Sequence, residues 1–482
     1  MTVPEQYQAG PRASSDDPRR AGAGYSSGAA LGDSTTVDAS RAASGGSTVD
    51  SSGPALRGST AGEIAASVEA AVAAGRLTPG SRLPSVRRLA RDLGVSPTTV
   101  AAAVAELRRR GVVVSRPRSG TRIAQRPPLR PAYPVGVVPE GARDLATGRP
   151  DPALLPDLTT VLRNLDGPWR GYGDEPVLPA LAEVAAAAFR ADGVAAGRIC
   201  VVNGALDGIE RVLAAHLAPG DAVAVEDPGW PGVLDLARSL GLRLVAVAVD
   251  ERGMVPDALA AAQRAGARAV VHTPRGHNPC GSALDPQRAR ALRAVLDDEL
   301  LVVEDDHLGP VAGTPWHTLT GGARWAAIRS VSKWLGPDLR LAVLAGDGET
   351  LARVEGRQSL GPGWVSGIAQ RVAATLWADR ATIAGVERAA AAYAERRAAL
   401  AALVTAAPAP SGINLWIEVP DEQAAVRSLL ADGWAVAAGA PYRLSPGPAI
   451  RVTTAELLPH EAPRLAAAIE RSIAPPRRTR AA

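Results

Sequence analysis

Residues 330 to 340 read Ser330–Val331–Ser332–Lys333–Trp334–Leu335–Gly336–Pro337–Asp338–Leu339–Arg340. Lys333 is the only lysine in a chain of 482 residues, although lysine and arginine together number 53. Arginine can replace lysine as a surface charge, but a guanidinium stays protonated, whereas a lysine amine can lose its proton and form a Schiff base. Two hydroxyls precede Lys333 and an arginine follows it, which is a set that can hold a phosphate group. The stretch therefore predicts a site where an amine bonds the carbon of a phosphorylated aldehyde.

The overall composition is that of a globular protein, with 46% hydrophobic residues and a net charge of +4. Two distant cysteines, Cys200 and Cys280, form neither a disulfide framework nor a zinc-ligand spacing. The sequence contains no signal peptide and no long uncharged apolar run, so we expect a cytoplasmic protein without membrane segments. Because the net charge is small, any nucleic-acid surface has to be local.

Composition also divides the chain into segments. Residues 1–55 are mainly Ser, Gly, Ala, Asp and Thr, with too little apolar surface to offset chain entropy, so we predict a disordered tail. Residues 125–142 are rich in proline and predict a semi-stiff linker. The linker separates a predicted domain at 56–124 from a second at 143–475, and residues 476–482 form a basic tail.

The first predicted domain has the pattern of helices followed by a hairpin. Apolar residues recur at helical spacing between residues 64 and 72, and a second helix fits residues 85–93. Ser96–Pro97 suits the start of a third helix, because serine caps helices and proline fits their first position. Strand-like runs follow at 112–116 and 121–124. This is the pattern of a winged helix, whose third helix docks in the major groove of DNA by its N-terminal end.

The charge of this segment also favours DNA binding. Residues 57–122 contain 12 arginines and only 4 acidic residues. Such an excess of positive charge attracts phosphates. The alternative is a small helical domain with a solvated basic face.

The same segment resembles the DNA-binding domain of the GntR family. The matching pieces are residues 75–87 (GRLTPGSRLPSVR), residues 94–100 (GVSPTTV) and the wing glycines Gly111 and Gly120. The resemblance implies that the DNA contacts are Arg87, Ser96, Thr98, Thr99 and the wing near Gly120. The family commonly has arginine where Pro97 stands, so one phosphate or base contact is missing here.

From Asp144 onward, strand-like runs alternate with alanine-rich helical stretches, which is typical of an α/β fold with a parallel sheet. Polar or otherwise distinctive residues follow five of these runs, at 199–202, 222–225, 269–271, 300–303 and 326–331. In open α/β sheets, ligands bind beyond the carboxyl ends of the strands. We therefore expect the loops after these strands to converge on one site.

The residues of these loops meet the needs of an aldehyde cofactor bound to Lys333. Asp305 can keep the ring nitrogen protonated, Asn278 can donate to the phenolic oxygen, and Trp230 can stack on the ring face. The phosphate can be held by two hydroxyls, a guanidinium and backbone amides, those of Ser330, Ser332, Arg340 and the Gly204–Ala205 loop. Asp306 should point away from Asp305, because side chains alternate along a strand, and this argues against a metal site.

These pieces resemble fold-type I pyridoxal-phosphate (PLP) enzymes of the aspartate aminotransferase class. The matching segments are residues 171–174, 203–205, 227–230, 277–281, 304–307 and 330–340. The resemblance implies that Arg451 grips a substrate carboxylate and that Tyr172 reaches the cofactor phosphate of the partner subunit in a homodimer. His307 stands where the family usually has a tyrosine that bonds the phenolic oxygen, and we expect its proton to titrate near neutral pH. Cys280 replaces a usual threonine, and Val177 a usual glycine.

A winged helix followed by an aminotransferase-like domain is similar to one family, the MocR subfamily of GntR regulators. That resemblance covers roughly residues 57–475 and implies a dimeric transcription regulator that binds double-stranded DNA and senses PLP or an amino compound. Two alternatives stay open, namely a true PLP-dependent aminotransferase with an accessory DNA-binding domain, and a DNA-binding scaffold with an inactive pocket. The effector, the operator and the direction of regulation stay open as well.

Overall fold

The computed structural model describes residues 56–73, 77, 80–109, 112–116, 120–124, 138–167, 170–406, 408–445 and 447–473. The tail predicted at 1–55, most of the linker predicted at 125–142 and the basic tail predicted at 476–482 lie outside these residues. Gly111 and part of the first GntR-like motif lie outside them as well. No helix among the described residues is long and apolar enough to cross a membrane.

Residues 56–124 contain the helices and the hairpin that the sequence predicts. The elements are α1 (Ala61–Ala73), α2 (Val86–Leu93), α3 (Pro97–Arg109), β1 (Val113–Arg116) and β2 (Gly120–Ile123). The Ser85 hydroxyl accepts a hydrogen bond from the Arg88 amide at the start of α2, and Gly94 ends this helix with a φ of 67°. The Ser96 hydroxyl accepts a hydrogen bond from the Thr99 amide at 3.1 Å, so it caps α3 as predicted.

The apolar residues of these elements pack into two clusters. One joins α1 and α3 to the hairpin and includes Val68, Leu107 and Ile123. The other joins the three helices and includes Ile64 and Leu89. Burial of these apolar stripes is what holds such short helices together, because helices of this length are marginal by themselves in water.

The remaining described residues form two further sheets covered by helices. The strands are β3 (Arg143–Leu145), β4 (Cys200–Val202), β5 (Ala222–Asp227), β6 (Arg243–Asp250), β7 (Gly253–Met254), β8 (Ala267–His272), β9 (Leu301–Asp306), β10 (Trp325–Ser330), β11 (Ala342–Gly346), β12 (Asn414–Glu418), β13 (Trp434–Ala438) and β14 (Ala449–Thr453). The helices are α4 (Leu158–Arg163), α5 (Pro179–Ala191), α6 (Ala205–His216), α7 (Pro231–Ser239), α8 (Pro256–Arg264), α9 (Pro286–Arg293), α10 (Gly348–Ser359), α11 (Gly367–Ala378), α12 (Arg380–Ala401), α13 (Glu422–Ala431) and α14 (Ala462–Ile473). An 8-stranded sheet has the order β4-β11-β10-β9-β8-β5-β6-β7, and a 4-stranded sheet has the order β12-β14-β13-β3.

The large sheet is mixed, whereas the sequence predicts a parallel one. Strands β6, β5, β8, β9 and β10 run parallel, but β11 runs antiparallel to both β10 and β4. The segment that joins β10 to β11 is the Lys333 stretch itself. This connection is short and contains no crossover helix, which is why the chain returns antiparallel beside β10.

Helices cover both faces of the large sheet, and neighbouring residues of β9 illustrate the division. Val302 packs with residues of α5, α8, α9, α11 and α12, whereas Val303 packs with residues of α6, α7 and α10. Because side chains alternate along a strand, Asp305 lies on the same face as Val303, and Asp306 lies on the opposite face. The two neighbouring carboxylates therefore have entirely different surroundings.

Candidate cofactor site and DNA-binding surface

Lys333 lies just after β10, and its Nζ donates a hydrogen bond to the Gly148 carbonyl at 2.5 Å. Burial, together with the nearby charge of Arg451, lowers the pKa of Lys333 from 10.5 to about 8. This shift raises the fraction of unprotonated amine at neutral pH, which is the form that attacks an aldehyde. Gly148 was not predicted as a site residue, although it lies shortly after the end of β3, as the predicted site residues lie after the ends of other strands.

Two of the residues predicted to hold a phosphate, Gly204 and Arg340, lie together at the N-terminus of α6. Gly204 precedes this helix with a φ of 93°, and a Cβ added there would lie 2.8 Å from Nη2 of Arg340. The Arg340 guanidinium therefore lies against the first turn of α6, which begins at Ala205. Unpaired amide groups at a helix N-terminus attract anions, so this corner combines an arginine with a ready-made anion site.

Ser330 and Ser332 lie in the turn that carries Lys333. Ser330 is buried, and its hydroxyl accepts a hydrogen bond from the Ser332 amide at 3.2 Å. The Ser330 carbonyl accepts a second bond from Nε1 of Trp334 at 2.8 Å. A hydroxyl that accepts one bond keeps its own proton, so Ser330 can still donate to a phosphate oxygen.

Asp305 is the predicted partner of the ring nitrogen. It is 2% exposed, and its Oδ1 has no hydrogen-bond partner among the described residues. Burial, together with the charges of Asp306 and Glu226, raises the pKa of Asp305 from 3.8 to about 8. A buried carboxyl oxygen without a partner is costly, and the protonated ring nitrogen of PLP would supply both a bond and an opposite charge. The residues present therefore fit this cofactor.

Asp306 belongs to a different cluster on the other face of the sheet. Its Oδ1 accepts a hydrogen bond from Nε of Arg275 at 2.8 Å, and its Oδ2 accepts one from Nε of Arg329 at 2.7 Å. Burial opposes ionisation of Asp306, but the two guanidinium charges outweigh burial and hold its pKa well below the usual range. Asp306 is thus a paired structural anion.

His307 does not behave as the sequence analysis expects. Burial, together with the charge of Lys333, lowers the pKa of His307 from 6.5 to about 3. The expectation that His307 titrates near neutral pH is therefore wrong, and its imidazole stays neutral through that range. A neutral imidazole still carries one N–H donor, which can bond a phenolic oxygen.

Trp230 and Asn278 lie in two other loops, the one between β5 and α7 and the one between β8 and α9. Trp230 immediately precedes α7, is partly buried against the cluster around α6, and places its ring over Gly232. The Oδ1 of Asn278 accepts a hydrogen bond from Nη1 of Arg451 at 3.3 Å. This orientation leaves the amide nitrogen of Asn278 to face other partners, such as the phenolic oxygen of the cofactor.

Arg451 lies in β14, the strand between β12 and β13, and only 2% of it is exposed. Its Nη2 donates to the Ala146 carbonyl, and its guanidinium carbon lies 5.1 Å from the ring centre of Tyr442. Its charge contributes to the lowered pKa of Lys333, so the fold brings these two residues together although they are far apart in sequence. Tyr442 was not predicted as a site residue, because an isolated tyrosine carries no chemical signature in a sequence.

Tyr172 is placed differently from the other predicted residues. It is 97% exposed, and its ring packs edge-on against Trp364 with the ring centres 5.6 Å apart. A single chain does not test whether Tyr172 reaches a second subunit, so its predicted role stays a prediction.

The residues predicted to contact DNA lie at the start of α2, around the first turn of α3 and in the wing. Arg87 and Thr98 are exposed, and Ser96 bonds the hydroxyls of Thr98 and Thr99 at 2.7 and 2.8 Å. A Cβ added at Gly120 would lie 3.0 Å from Nε of an arginine that the sequence analysis missed, Arg82. An arginine side chain thus rests on the start of β2, next to the wing.

A separate cleft of about 910 Å³ lies between β6, α8 and β12. Its lining includes Asp227, Ala258, Trp416 and Arg443 but not Lys333. Within the described part of the chain, no group of three or more His, Cys, Asp or Glu residues could hold a metal ion.

Two family profiles match the chain. Residues 143–469 match the family described as aminotransferase class I and II. Residues 60–123 match the bacterial regulatory proteins of the gntR family. The order of the two matches is the order in which the chain carries the candidate DNA-binding surface and the candidate cofactor site.

Individual proteins show the same combination. The chain is 38% identical over 423 residues to the vitamin B6 salvage pathway transcriptional repressor PtsJ of Salmonella typhimurium, which covers 86% of this chain and 98% of that protein. It is 32% identical to the pyridoxine biosynthesis transcriptional regulator PdxR of Corynebacterium glutamicum over 49% of this chain and 53% of that protein. An archaeal alanine:glyoxylate aminotransferase structure superposes with a TM-score of 0.63 at 21% identity, covering 69% of this chain and 90% of the other. That last similarity shows the aminotransferase fold.

Proposed function

We propose that this chain, which belongs to the MocR-type regulators, is a DNA-binding transcription regulator controlled by PLP. Regulators of this type join a gntR-family domain to an aminotransferase class I and II domain. In this proposal residues 56–124 bind an operator and residues 143–475 form the sensing domain. The observation that carries the proposal is the occurrence, in one chain, of a capped recognition helix, a lysine amine bonded to the Gly148 carbonyl, and a buried Asp305 oxygen without a partner among the described residues.

The cofactor would be held by residues that the fold brings together. Arg340, Ser330 and the N-terminus of α6 would bind its phosphate, and Asp305 would keep its ring nitrogen protonated. Trp230 would cover one face of the ring. PLP supplies an aldehyde that bonds amines reversibly and a ring that withdraws electrons. Lys333 is the amine for that aldehyde, and its lowered pKa keeps Nζ reactive near neutral pH.

We further propose that the domain serves sensing rather than rapid turnover. Arg451 can bind the carboxylate of an amino compound, and Lys333 Nζ can hold or release a proton near that compound. An efficient transaminase also needs a tightly placed ring, and a displacement of about 1 Å can cost on the order of 100-fold in rate. Here His307 and Cys280 replace the usual tyrosine and threonine around the ring. A sensor needs only the binding steps.

The similarity to PtsJ favours PLP itself as a signal. It extends over 98% of a repressor that is named for vitamin B6 salvage. The pocket residues named above would bind PLP without any further amino compound, so a regulator that reports the PLP level needs no second effector. An amino compound that binds at Arg451 would add a second signal to the same site.

A homodimer is part of the proposal. Several large apolar side chains are exposed, namely Tyr172 at 97%, Leu360 at 91%, Leu162 at 53% and Ile368 at 44%. Tyr172 packs on Trp364, and α4, which carries Leu162, packs against α11, which carries Ile368. Contiguous exposed apolar surface marks interaction sites, and in this proposal a second copy of the chain covers these side chains.

The cofactor assignment is tested with purified protein and PLP. Added PLP should produce a visible absorption band, and borohydride should then fix the cofactor to one peptide that contains Lys333. Lys333→Ala is the matched control and should lose the fixed peptide. A protein that takes up no PLP would contradict the proposal.

The regulatory assignment is tested by operator binding. PLP should change the DNA affinity of the wild type but not that of Lys333→Ala. Arg87→Ala should weaken binding to all sequences and reduce the salt slope by about 1, whereas Thr98→Ala should relax sequence preference. Rapid multiple-turnover transamination, with DNA binding indifferent to PLP, would favour an enzyme instead.

A further inference from the structure

Tyr442 lies between the parts of the site that are proposed to bind the effector and the cofactor ring. It is fully buried at the end of a short 3-10 helix, Ala440–Tyr442. The guanidinium carbon of Arg451 lies 5.1 Å from the centre of its ring. A cation over an aromatic face is attracted to it, and the attraction is stronger where water is excluded. The ring therefore helps to fix the position of the Arg451 guanidinium.

Trp416 supports the ring of Tyr442 from another side. The two ring centres are 5.9 Å apart with the planes at 65°, an edge-on contact. Trp416 in β12 is also the cross-strand partner of Arg451 in β14, so their side chains share one face of the small sheet. Cys280, two residues after Asn278, packs into the same cluster. The position of Arg451 is thus coupled to a small packed unit with Tyr442 at its centre.

The backbone of Tyr442 is bonded to the loop that carries Trp230. The Tyr442 carbonyl accepts a hydrogen bond from the Gly229 amide at 2.6 Å. The amides of Leu444 and Ser445 donate to the Asp227 carboxylate at 2.8 and 3.1 Å. Trp230 is the next residue after Gly229, so a displacement of Tyr442 reaches Trp230 through direct bonds.

We infer that Tyr442 is a positioning residue that couples a carboxylate bound at Arg451 to the contact between Trp230 and the cofactor ring. The inference rests on the proposed function for the roles of Arg451 and Trp230. A carboxylate at Arg451 competes with the bonds to Asn278 and Ala146, and the resulting shift of the guanidinium acts on the Tyr442 ring. This coupling requires the aromatic face of residue 442 and not its hydroxyl.

The test uses full-length protein loaded with PLP and titrated with succinate, a carboxylate that has no amine and cannot react with the aldehyde. Succinate should change the circular dichroism of the bound cofactor in the wild type and in Tyr442→Phe, with apparent Kd values within about twofold, because phenylalanine keeps the aromatic face. Tyr442→Leu should bind succinate about 5–30-fold more weakly, as expected for loss of a buried cation–aromatic contact, and should lose most of the signal change.

Arg451→Gln is the control in which the anion site itself is lost. Equal responses from Tyr442→Leu and Tyr442→Phe would overturn the inference, and so would a wild type that binds PLP but does not respond to succinate. A wild type that binds no PLP would contradict the proposed function and the inference with it. If Tyr442→Leu does not unfold cooperatively on heating, Tyr442→Met takes its place. Trp416→Leu, which removes the edge-on contact that supports the Tyr442 ring, should reduce the signal change in part.

Discussion

At the end of β9, each face of the large sheet holds one buried carboxyl group, and the pKa shifts of these two groups have opposite signs. On the α6 face, Asp305 is buried with one oxygen unpaired, and its pKa is raised to about 8. On the other face, Asp306 is equally buried, but Arg275 and Arg329 hold its pKa well below the usual range. Burial opposes ionisation in both regions, so the difference comes from the neighbours. An unpaired buried carboxyl marks the region kept ready for a ligand, and the paired one marks a region that supports the fold.

The largest expected effect is the loss of stability in Asp306→Asn. This change removes the buried anion that Arg275 and Arg329 share and leaves them only the partly exposed Asp192, and breaking such a buried pair costs up to about 3–5 kcal/mol. Asp305→Asn is the matched control and should not lose stability at pH 7, because the wild type has to take up a proton on Asp305 when it folds there and asparagine does not. Urea unfolding of both variants without PLP measures the two values. Equal losses in the two variants would contradict the comparison.

The next largest effect is on PLP affinity, and here Asp305→Asn should have a larger effect than Asp306→Asn. Asp305→Asn removes the anion proposed for the ring nitrogen, and loss of a bond to a charged group costs about 1.5–3 kcal/mol, or roughly 10–100-fold in Kd. Asp306→Asn should bind PLP within about threefold of the wild type wherever it is folded, since less than about 0.7 kcal/mol is then at stake. Absorbance titration measures both. A weaker effect at residue 305 than at residue 306 would show that the ring nitrogen has another partner.

The third effect is the pH dependence of stability, which follows from the raised pKa of Asp305. The pKa of Asp305 is about 8 in the folded protein and 3.8 in the unfolded chain. Between pH 4 and pH 8 the folded protein therefore keeps this proton, whereas the unfolded chain has lost it. The contribution of Asp305 to stability is therefore fully present below pH 4 and falls as pH rises, by at most about 1.4 kcal/mol per pH unit.

Asp305→Asn has no such proton to lose. Its free energy of unfolding minus that of the wild type should therefore increase from pH 5 to pH 7.5 in protein without PLP. Urea unfolding at several pH values checks this sign. A difference that stays constant with pH would show that Asp305 is ionised in the folded protein.

The smallest effect concerns Trp316, whose ring packs against the two arginines that pair with Asp306. The guanidinium carbons of Arg329 and Arg275 lie 5.0 and 5.7 Å from the ring centre of Trp316. Trp316→Leu should cost about 1–2 kcal/mol beyond the loss of apolar burial, as buried cation–aromatic contacts do. Trp316→Phe, which keeps an aromatic face, is the control and should lose less. PLP affinity should stay unchanged in both, since Trp316 lies on the Asp306 face.

Local signals in the sequence predicted the elements of residues 56–124 well. A serine cap, a proline at the first helical position and a glycine after a helix act over only a few residues, so they need no tertiary structure to be recognised. The strands that precede the site loops were predicted for the same reason. The direction of β11 was not predicted, because apolar periodicity does not distinguish parallel from antiparallel neighbours.

Protonation states were harder to predict from residue types. His307 was expected to titrate near neutral pH, but burial and the charge of Lys333 lower its pKa to about 3. Gly148 and Tyr442 were missed because their roles come from a carbonyl oxygen and a ring face, which many residues could offer. Only their position beside Lys333 and Arg451 makes them special.

The residue types in the chain specify which chemistry is available to this protein. Lys333 is the single lysine in a chain whose other positively charged side chains are arginines, and it follows two serines. Acidic, amide and aromatic residues follow the ends of successive predicted strands. Which of these groups come into contact, and whether each is protonated, depends on the fold. Arg451 acts on Lys333 only because the fold brings β14 close to the loop after β10. Asp305 differs from Asp306 because strand alternation sends the two side chains to opposite faces. The residue type decides which covalent reactions a side chain can undergo. Its pKa and its contacts depend on neighbours that the fold brings from distant parts of the chain.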